Sequence, residues 1–419
     1  MGCYSLYSIF HLAVAPLLAI RSIIRSKRRD QIGHVWKRLL GGSKPPHRAN
    51  WVVIFAGGIG ERRVGFAVAD VIRTHRDPQV AVFSGSIKSV NIRHDQVLSG
   101  HSPYNNPISA LLFLLRWRPK CIIVVEFWDN HHLKAICGIL GIKTVVVNVP
   151  ISPIATRQVK PWNRWRYQFV GAYCVQGKEH RLRLEKLGIA PKSIVQTGVV
   201  GFRIDPLAQS SKTAEEVRQE AISLYGLKSH HFPIVIAGST YPPDEGPILT
   251  AYVELRKDFP NAVLFLVPRN PKRRIGPEST VKERGLGFTL RTDETGEIPE
   301  SGIVVVNTYG ELKYLYSVGQ MAHVGGTMAP NSTGHTPVEA LAWYLPITIG
   351  PHFSQQKVIV KMLEENGLAT VIRTEDELAE TWRSMAKNPP DATAYHALVD
   401  ELLNRQDDMI LRIYDKLCL

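Results

Sequence analysis

The clearest chemical signal in the 419-residue chain is a carboxylate set among glycines, in Ala56-Gly57-Gly58-Ile59-Gly60-Glu61. The run follows an apolar strand and opens a helix, where glycines admit a ligand to the backbone and the helix start attracts anions. It is not a complete GxGxxG, and no acidic residue stands at the ribose-binding distance of the dinucleotide fingerprint, so the nucleotide signal is weak. Glu61 has two readings: a general base for a hydroxyl group, or a first-turn acid that complements the helix dipole.

A second constellation, Glu126-Phe127-Trp128-Asp129-Asn130, also ends an apolar strand, and an acid there faces the ligand crevice of an open α/β sheet. The adjacent His131 and His132 point in different directions on a helix and have no third ligand at a sensible spacing, so no metal is expected.

Later in the chain the theme recurs. Ser239 and Thr240 follow a strand, with Asp244 and Glu245 opening the next helix. Arg269 ends another strand, followed by Lys272, Arg273 and Arg274, and arginines there suit phosphate or carboxylate. A solvated basic loop is the alternative. Gly310 and Glu311 lie in Asn307-Thr308-Tyr309-Gly310-Glu311, and Gly326 in Gly325-Gly326-Thr327. Gly334, His335 and Glu339 open a helix after a polar loop, an arrangement that suits an anion and ribose hydroxyls.

These groups need strands to end in the right places, and the pattern supplies them. Trp51–Ala56, Val80–Ser84, Cys121–Phe127, Thr144–Asn148 and Ala172–Gln176 read as short buried strands, separated by helical stretches such as Arg62–Thr74, Ser109–Arg116 and His131–Leu140. A second series comprises Ile234–Ala237, Val263–Val267, Ile303–Val306, Met321–Val324 and Ile347–Ile349. The expected fold is therefore α/β, two doubly wound lobes with a cleft at the carboxyl ends of their sheets. The lobes are placed at 45–207 and 230–390, with a C-terminal helix, 391–419, packing back on them.

The formal net charge of +14 calls for an anionic partner. Residues 1–50 hold nine basic side chains against the single acid Asp30, and no nucleic-acid motif is present. Leu6–Ile20 is nearly continuous apolar sequence followed by the basic run Arg25–Arg29, so residues 1–30 are expected to form a spanning or interfacial membrane helix. Basic residues on that side place the rest of the chain in the cytoplasm. The five cysteines are scattered and imply no metal cluster.

In the order and type of these motifs, the chain resembles the 3-deoxy-D-manno-octulosonic acid (Kdo) transferases of lipopolysaccharide synthesis. Val267–Arg273 resembles the family's VPRHPER run, and Thr308–Leu312, Val324–Thr327, Gly334–Glu339 and Gly350–His352 resemble its DTMGEL, VGGS, GHNPLE and GPH segments. Glu126–Asn130 resembles its ExxWPN-type segment, and Glu61 stands at its proposed catalytic base. The resemblance implies a GT-B fold and an inverting glycosyltransferase that needs neither metal nor cofactor. Its donor would be CMP-Kdo and its acceptor a phosphorylated lipid A precursor, at the cytoplasmic face of the inner membrane. It implies acceptor contacts from Gly58, Gly60, Glu126, Trp128 and Asn130. Donor contacts would come from Ser239, Thr240, Arg269, Arg273, Gly310, Glu311, Gly326, Gly334, His335 and Glu339.

The chain departs from the family pattern at Val149, Tyr241, Asn270 and Thr336, and Arg203 is the nearest basic residue to the family's lysine in GxLKFD. A GT-B enzyme with another nucleotide sugar or acceptor, a non-catalytic glycolipid-binding homologue, and an isomerase on the same fold are the rival readings.

Overall fold

The computed structural model describes residues 7–8, 29–46, 50–85, 94, 96–126, 130–149, 151, 156, 159–160, 164–203, 206–207, 212–273, 276–293, 297–330 and 332–418. The chain divides into two compact units, one of residues 1–203 with 403–419 and one of residues 204–402. The proposed membrane segment, apart from Tyr7 and Ser8 and the start of the first helix, lies outside the described residues. Among those described, no helix is long and apolar enough to cross a membrane.

Unit 1 is a seven-stranded sheet in the order β3-β2-β1-β4-β5-β6-β7. Its strands are β1 (Val52–Phe55), β2 (Val80–Ser84), β3 (Leu98–His101), β4 (Cys121–Val125), β5 (Lys143–Val149), β6 (Ala172–Val175) and β7 (Ile194–Gln196). All the pairings are parallel. The helices used below are α1 (Arg29–Leu39), α2 (Ile59–Arg76), α3 (Pro107–Trp117) and α4 (His131–Ile139). The central strands β1 and β4 read as unbroken apolar runs because both faces are covered. Val53 and Phe55 join Phe83, Phe113 and Trp117 in one core, while Val52 and Ile54 join Val68, Ile72 and Val82 in the other.

Unit 2 repeats the plan, in the order β10-β11-β9-β8-β12-β13-β14. Its strands are β8 (Ile234–Thr240), β9 (Val263–Pro268), β10 (Thr289–Leu290), β11 (Ile303–Val305), β12 (Met321–Val324), β13 (Ile347–Ile349) and β14 (Ala369–Val371). All are parallel. Its helices include α5 (Ala214–Leu224), α6 (Pro242–Asp258) and α7 (Glu375–Lys387). The final helix, α8 (Ala392–Leu417), belongs to unit 2 as far as Leu402 and to unit 1 beyond it. Ile410, Ile413 and Tyr414 are buried in the unit 1 core.

The strand orders locate the chemistry. In a doubly wound sheet the crevice for a ligand opens where the winding reverses, at the carboxyl ends of two adjacent strands. That point lies between β1 and β4 in unit 1 and between β8 and β12 in unit 2.

Candidate functional site

In unit 1, the turn after β1 brings Gly57, Gly58 and Gly60 to the switch point and starts α2. Glu61 is the third residue of α2, and its Oε2 accepts the amide of Gly58, so the acid caps its own helix. A Cβ on Gly57 or Gly58 would lie 2.8 or 3.0 Å from that oxygen, so these glycines make room for the carboxylate to fold back. Ser84 Oγ holds the turn from below, donating to the carbonyl of Gly57 at 2.8 Å. Gly60 is exposed, with nothing within 4 Å of its Cβ position.

Glu126 ends the adjacent strand. Its backbone is left-handed, with φ of 57°, a conformation that costs a non-glycine residue energy and clusters at functional sites. Burial, and then the charge of Glu61, push its carboxyl up to about 7. Two acids therefore share the switch point of unit 1, one of them protonated for part of the time at neutral pH. Asn130 takes no part in that opening. It is 1% exposed, accepts the amide of Leu133 at 3.0 Å as the cap of α4, and donates to the carbonyls of Pro103 and Tyr104 at 3.2 Å. Its amide is spent on structure. Trp128 lies outside the described residues.

In unit 2 the loops after β8 and β12 are tied by Asp244, a fully buried acid at the start of α6. It accepts the amides of Tyr241 (2.8 Å), Gly326 (2.7 Å), Thr327 (3.2 Å) and Met328 (2.9 Å). Thr240 is also fully buried, and its hydroxyl donates to Glu245 at 3.0 Å. Arg273, expected to reach a donor phosphate, is instead ion-paired with Glu245. Glu311 accepts from Tyr225 (2.5 Å), Arg291 (2.8 Å) and Thr308 (2.5 Å). Burial alone would raise its pKa, but the hydrogen bonds from Thr308, Tyr225 and Arg291 outweigh it and hold the acid below the usual range.

Several of the remaining expected residues gather around His335. Tyr241 and His335 stack face to face, 5.6 Å apart and 3° from parallel. A Cβ on Gly326 would lie 3.1 Å from the His335 ring, and one on Gly334 would lie 2.9 Å from Phe353 Cα, so both positions need glycine. Both have left-handed backbones, with φ of 69° and 79°. Burial lowers the His335 pKa and Arg269 adds to this, while Asp244 and Glu339 oppose it. The imidazole is thus kept neutral between a cation and two acids. Arg269 is exposed, and Glu339 sits half-buried in the first turn of the short helix Val338–Leu341. Ser239 is half-buried at the end of β8 with φ of 59°, and Gly310 is an exposed turn with φ of 86°. Arg269, Tyr241, His335 and Glu339 thus form a polar ledge suited to an anionic ligand bearing hydroxyl groups.

Sequence reasoning gave no role to Asp244, Tyr225 or Arg291. An acid in the first turn of α6 reads as a dipole partner, and only the fold brings the β12 amides to it. Tyr225 and Arg291 meet Glu311 from positions 86 and 20 residues away, with no local pattern to reveal them.

Two parallel doubly wound units, each with glycine loops and acids at its switch point, are the architecture of the GT-B fold. Residues 32–204 match the model of the 3-deoxy-D-manno-octulosonic-acid transferase (kdotransferase) family. The chain is 26% identical to the probable mitochondrial 3-deoxy-D-manno-octulosonic acid transferase of Arabidopsis thaliana, over 92% of this chain and 88% of that one. It is 27% identical to the 3-deoxy-D-manno-octulosonic acid transferase of Haemophilus influenzae, over 68% of this chain and 66% of that one. A glycosyltransferase from Rickettsia africae shares the fold, with a TM-score of 0.59 at 13% identity, over 88% of this chain and 99% of that one. By these matches the chain is similar to the 3-deoxy-D-manno-octulosonic-acid transferases.

Proposed function

We propose that the protein transfers Kdo, or a closely related acidic sugar, from its CMP-activated form to a phosphorylated lipid A precursor at the cytoplasmic face of the inner membrane. Unit 1 takes the acceptor and unit 2 the donor. Glu61 removes the proton from the acceptor hydroxyl, which attacks the anomeric carbon with inversion as the CMP phosphate leaves toward Arg269. The observation that carries this reading is the carboxylate pair Glu61 and Glu126 at the switch point of unit 1, in a chain similar to these transferases. Neither metal nor cofactor is needed in this scheme. Strong basicity suits two anionic substrates and an anionic membrane.

One observation favours a second reading with an altered donor. Tyr241 replaces the family's histidine and stacks on His335, which changes the shape and polarity of the ledge. Incubating the protein with CMP-Kdo and a phosphorylated lipid A precursor, followed by mass spectrometry, tests both readings. Addition of one or more Kdo masses is expected. Absence of transfer from CMP-Kdo, together with transfer from another nucleotide sugar, would replace the first reading by the second. A protein that binds glycolipid but transfers no sugar at all would be a non-catalytic homologue.

A further inference from the structure

The polar ledge of unit 2 lies at the carboxyl ends of β8 and β12. At the opposite ends of these strands, and of β13 beside them, unit 2 holds a cavity of about 550 Å³. Phe232 before β8, Met321 at the start of β12 and Pro346 before β13 line it. β8 is seven residues long, so about 20 Å of strand separates this cavity from the ledge. Open α/β sheets take their usual ligands at the carboxyl ends. A cavity at the amino ends is therefore no part of that site, and its volume is in the range of small-molecule pockets.

Its walls are largely aromatic. Trp343, Tyr344 and Tyr395 line it together with the adaptable thioether of Met385. Tyr344 has a left-handed backbone, with φ of 58°, which is uncommon for a bulky residue and clusters at functional sites. Its ring packs on that of His396 with centroids 4.2 Å apart, and its hydroxyl donates to Asp400 at 2.9 Å. The neutral polar side chains of the wall are likewise committed within the protein. Gln320 Oε1 accepts the Ile234 amide at 2.7 Å, and Ser317 Oγ donates to the Tyr314 carbonyl at 2.6 Å. Trp343 Nε1 donates to the Lys313 carbonyl at 2.6 Å, and the Tyr395 hydroxyl to that of Leu345 at 3.1 Å.

The uncommitted nitrogens are on Arg218 and His396, both exposed at the mouth. Among the described residues Arg218 makes no hydrogen bond or ion pair, and His396 makes only its ring contact with Tyr344. Glu215, one turn before Arg218 on α5, already accepts from Gln219 Nε2 at 2.7 Å. An occupant that matches this cavity lays a flat apolar body against the aromatic walls and brings a negative group to the free guanidinium.

We infer that the amino-end cavity of unit 2 is a second binding site, for a small aromatic anion. Its ring system packs against Trp343 and Tyr344, and its carboxylate, sulfonate or phosphate pairs with Arg218. The site is separate from the proposed transfer reaction and does not depend on it.

The test titrates the full chain with 8-anilinonaphthalene-1-sulfonate, read by fluorescence, and with N-phenyl-1-naphthylamine, which carries the same rings without the sulfonate. Wild type is expected to bind the sulfonate saturably. Arg218→Gln should weaken that binding about tenfold, as for a lost charge-assisted hydrogen bond, and leave the neutral probe within about twofold. Ala392→Glu places an acid on the cavity in the first turn of α8, where a helix accommodates one, and should weaken the sulfonate by a similar factor. Saturating CMP should leave the sulfonate bound. Unchanged sulfonate affinity in both variants overturns the inference, as does the absence of saturable binding in wild type. Displacement by CMP also overturns it, by putting the probe on the ledge. Equal losses of the two probes in Arg218→Gln would remove the anionic group from the recognition and overturn it as well. Should one variant melt early, the other decides, since the two substitutions lie on different helices.

Discussion

Arg273 Nη2 donates to both carboxylate oxygens of Glu245, at 2.6 and 2.5 Å, and the acid is fully buried while the guanidinium is 14% exposed. The pair joins the loop after β9 to the first turn of α6. Burial raises the pKa of Glu245, while Arg273 and Thr240 pull it back down. Such a pair contributes little compared with an apolar substitute, but removing one partner strands the other charge.

Arg273→Ala is therefore expected to destabilise unit 2 by about 3–5 kcal/mol, with Thr240 left as the donor to a buried acid. Urea unfolding measures this. A variant of wild-type stability that has lost nucleotide affinity would instead return Arg273 to the donor phosphate.

Asp244→Asn should loosen the ledge without touching ligand. Its carboxylate gathers four amides, and the substituted NH2 group cannot accept from any of them. Hydrogen bonds to a charged group contribute about 1.5–3 kcal/mol each. The expected outcome is a lower melting temperature together with weaker binding of CMP, measured by calorimetry, because Gly326 and the His335 stack depend on that anchor. Unchanged CMP affinity would mean that the nucleotide does not use the Gly325–Met328 loop.

Much of the fold was legible because parallel strands buried on both faces leave unbroken runs of Val and Ile. Val80–Ser84, Met321–Val324 and Ile347–Ile349 fall where the sequence places them. Leu98–His101 escaped notice because Ser99, Gly100 and His101 carry no strand pattern, and the segment lies at the sheet edge. The two-residue strand Thr289–Leu290 is too short for any period to register. At the site, glycines after strands marked loops at the carboxyl ends of both sheets. Residue type could not separate Arg269, which is exposed, from Arg273, which is held by Glu245. Nor could it show that Asn130 faces inward, since an asparagine before a helix is equally apt as cap and as ligand.

Glu61→Gln and Glu61→Ala separate two duties of one residue. Glutamine can still accept the Gly58 amide through its Oε1, whereas alanine loses that bond at roughly 1 kcal/mol. Both remove the base, so turnover should fall by about 10²–10⁴-fold in each, with donor affinity nearly unchanged. Only the alanine variant should melt earlier. Turnover of wild-type magnitude in Glu61→Gln would remove Glu61 from the chemistry and leave it as a cap.

The last prediction concerns pH and Glu126. Its carboxyl rises from an ordinary 4.5 to about 7 on folding, so between those values the folded chain holds a proton that the unfolded chain has released. Stability must then fall as pH rises through that window and level off above it. A tenfold change in proton affinity corresponds to about 1.4 kcal/mol, so the full effect approaches roughly 3 kcal/mol. Measured by urea unfolding at pH 5 and pH 8, wild type should lose about 2–3 kcal/mol relative to Glu126→Gln, whose amide does not titrate. The Gln variant should also be the more stable protein at pH 8, since it no longer buries a charge beside Glu61. Burial is the first cause of the rise and the charge of Glu61 the second, so Glu61→Gln should narrow the window from its upper end without abolishing it. Identical pH profiles for wild type and Glu126→Gln would show that folding does not raise the Glu126 carboxyl.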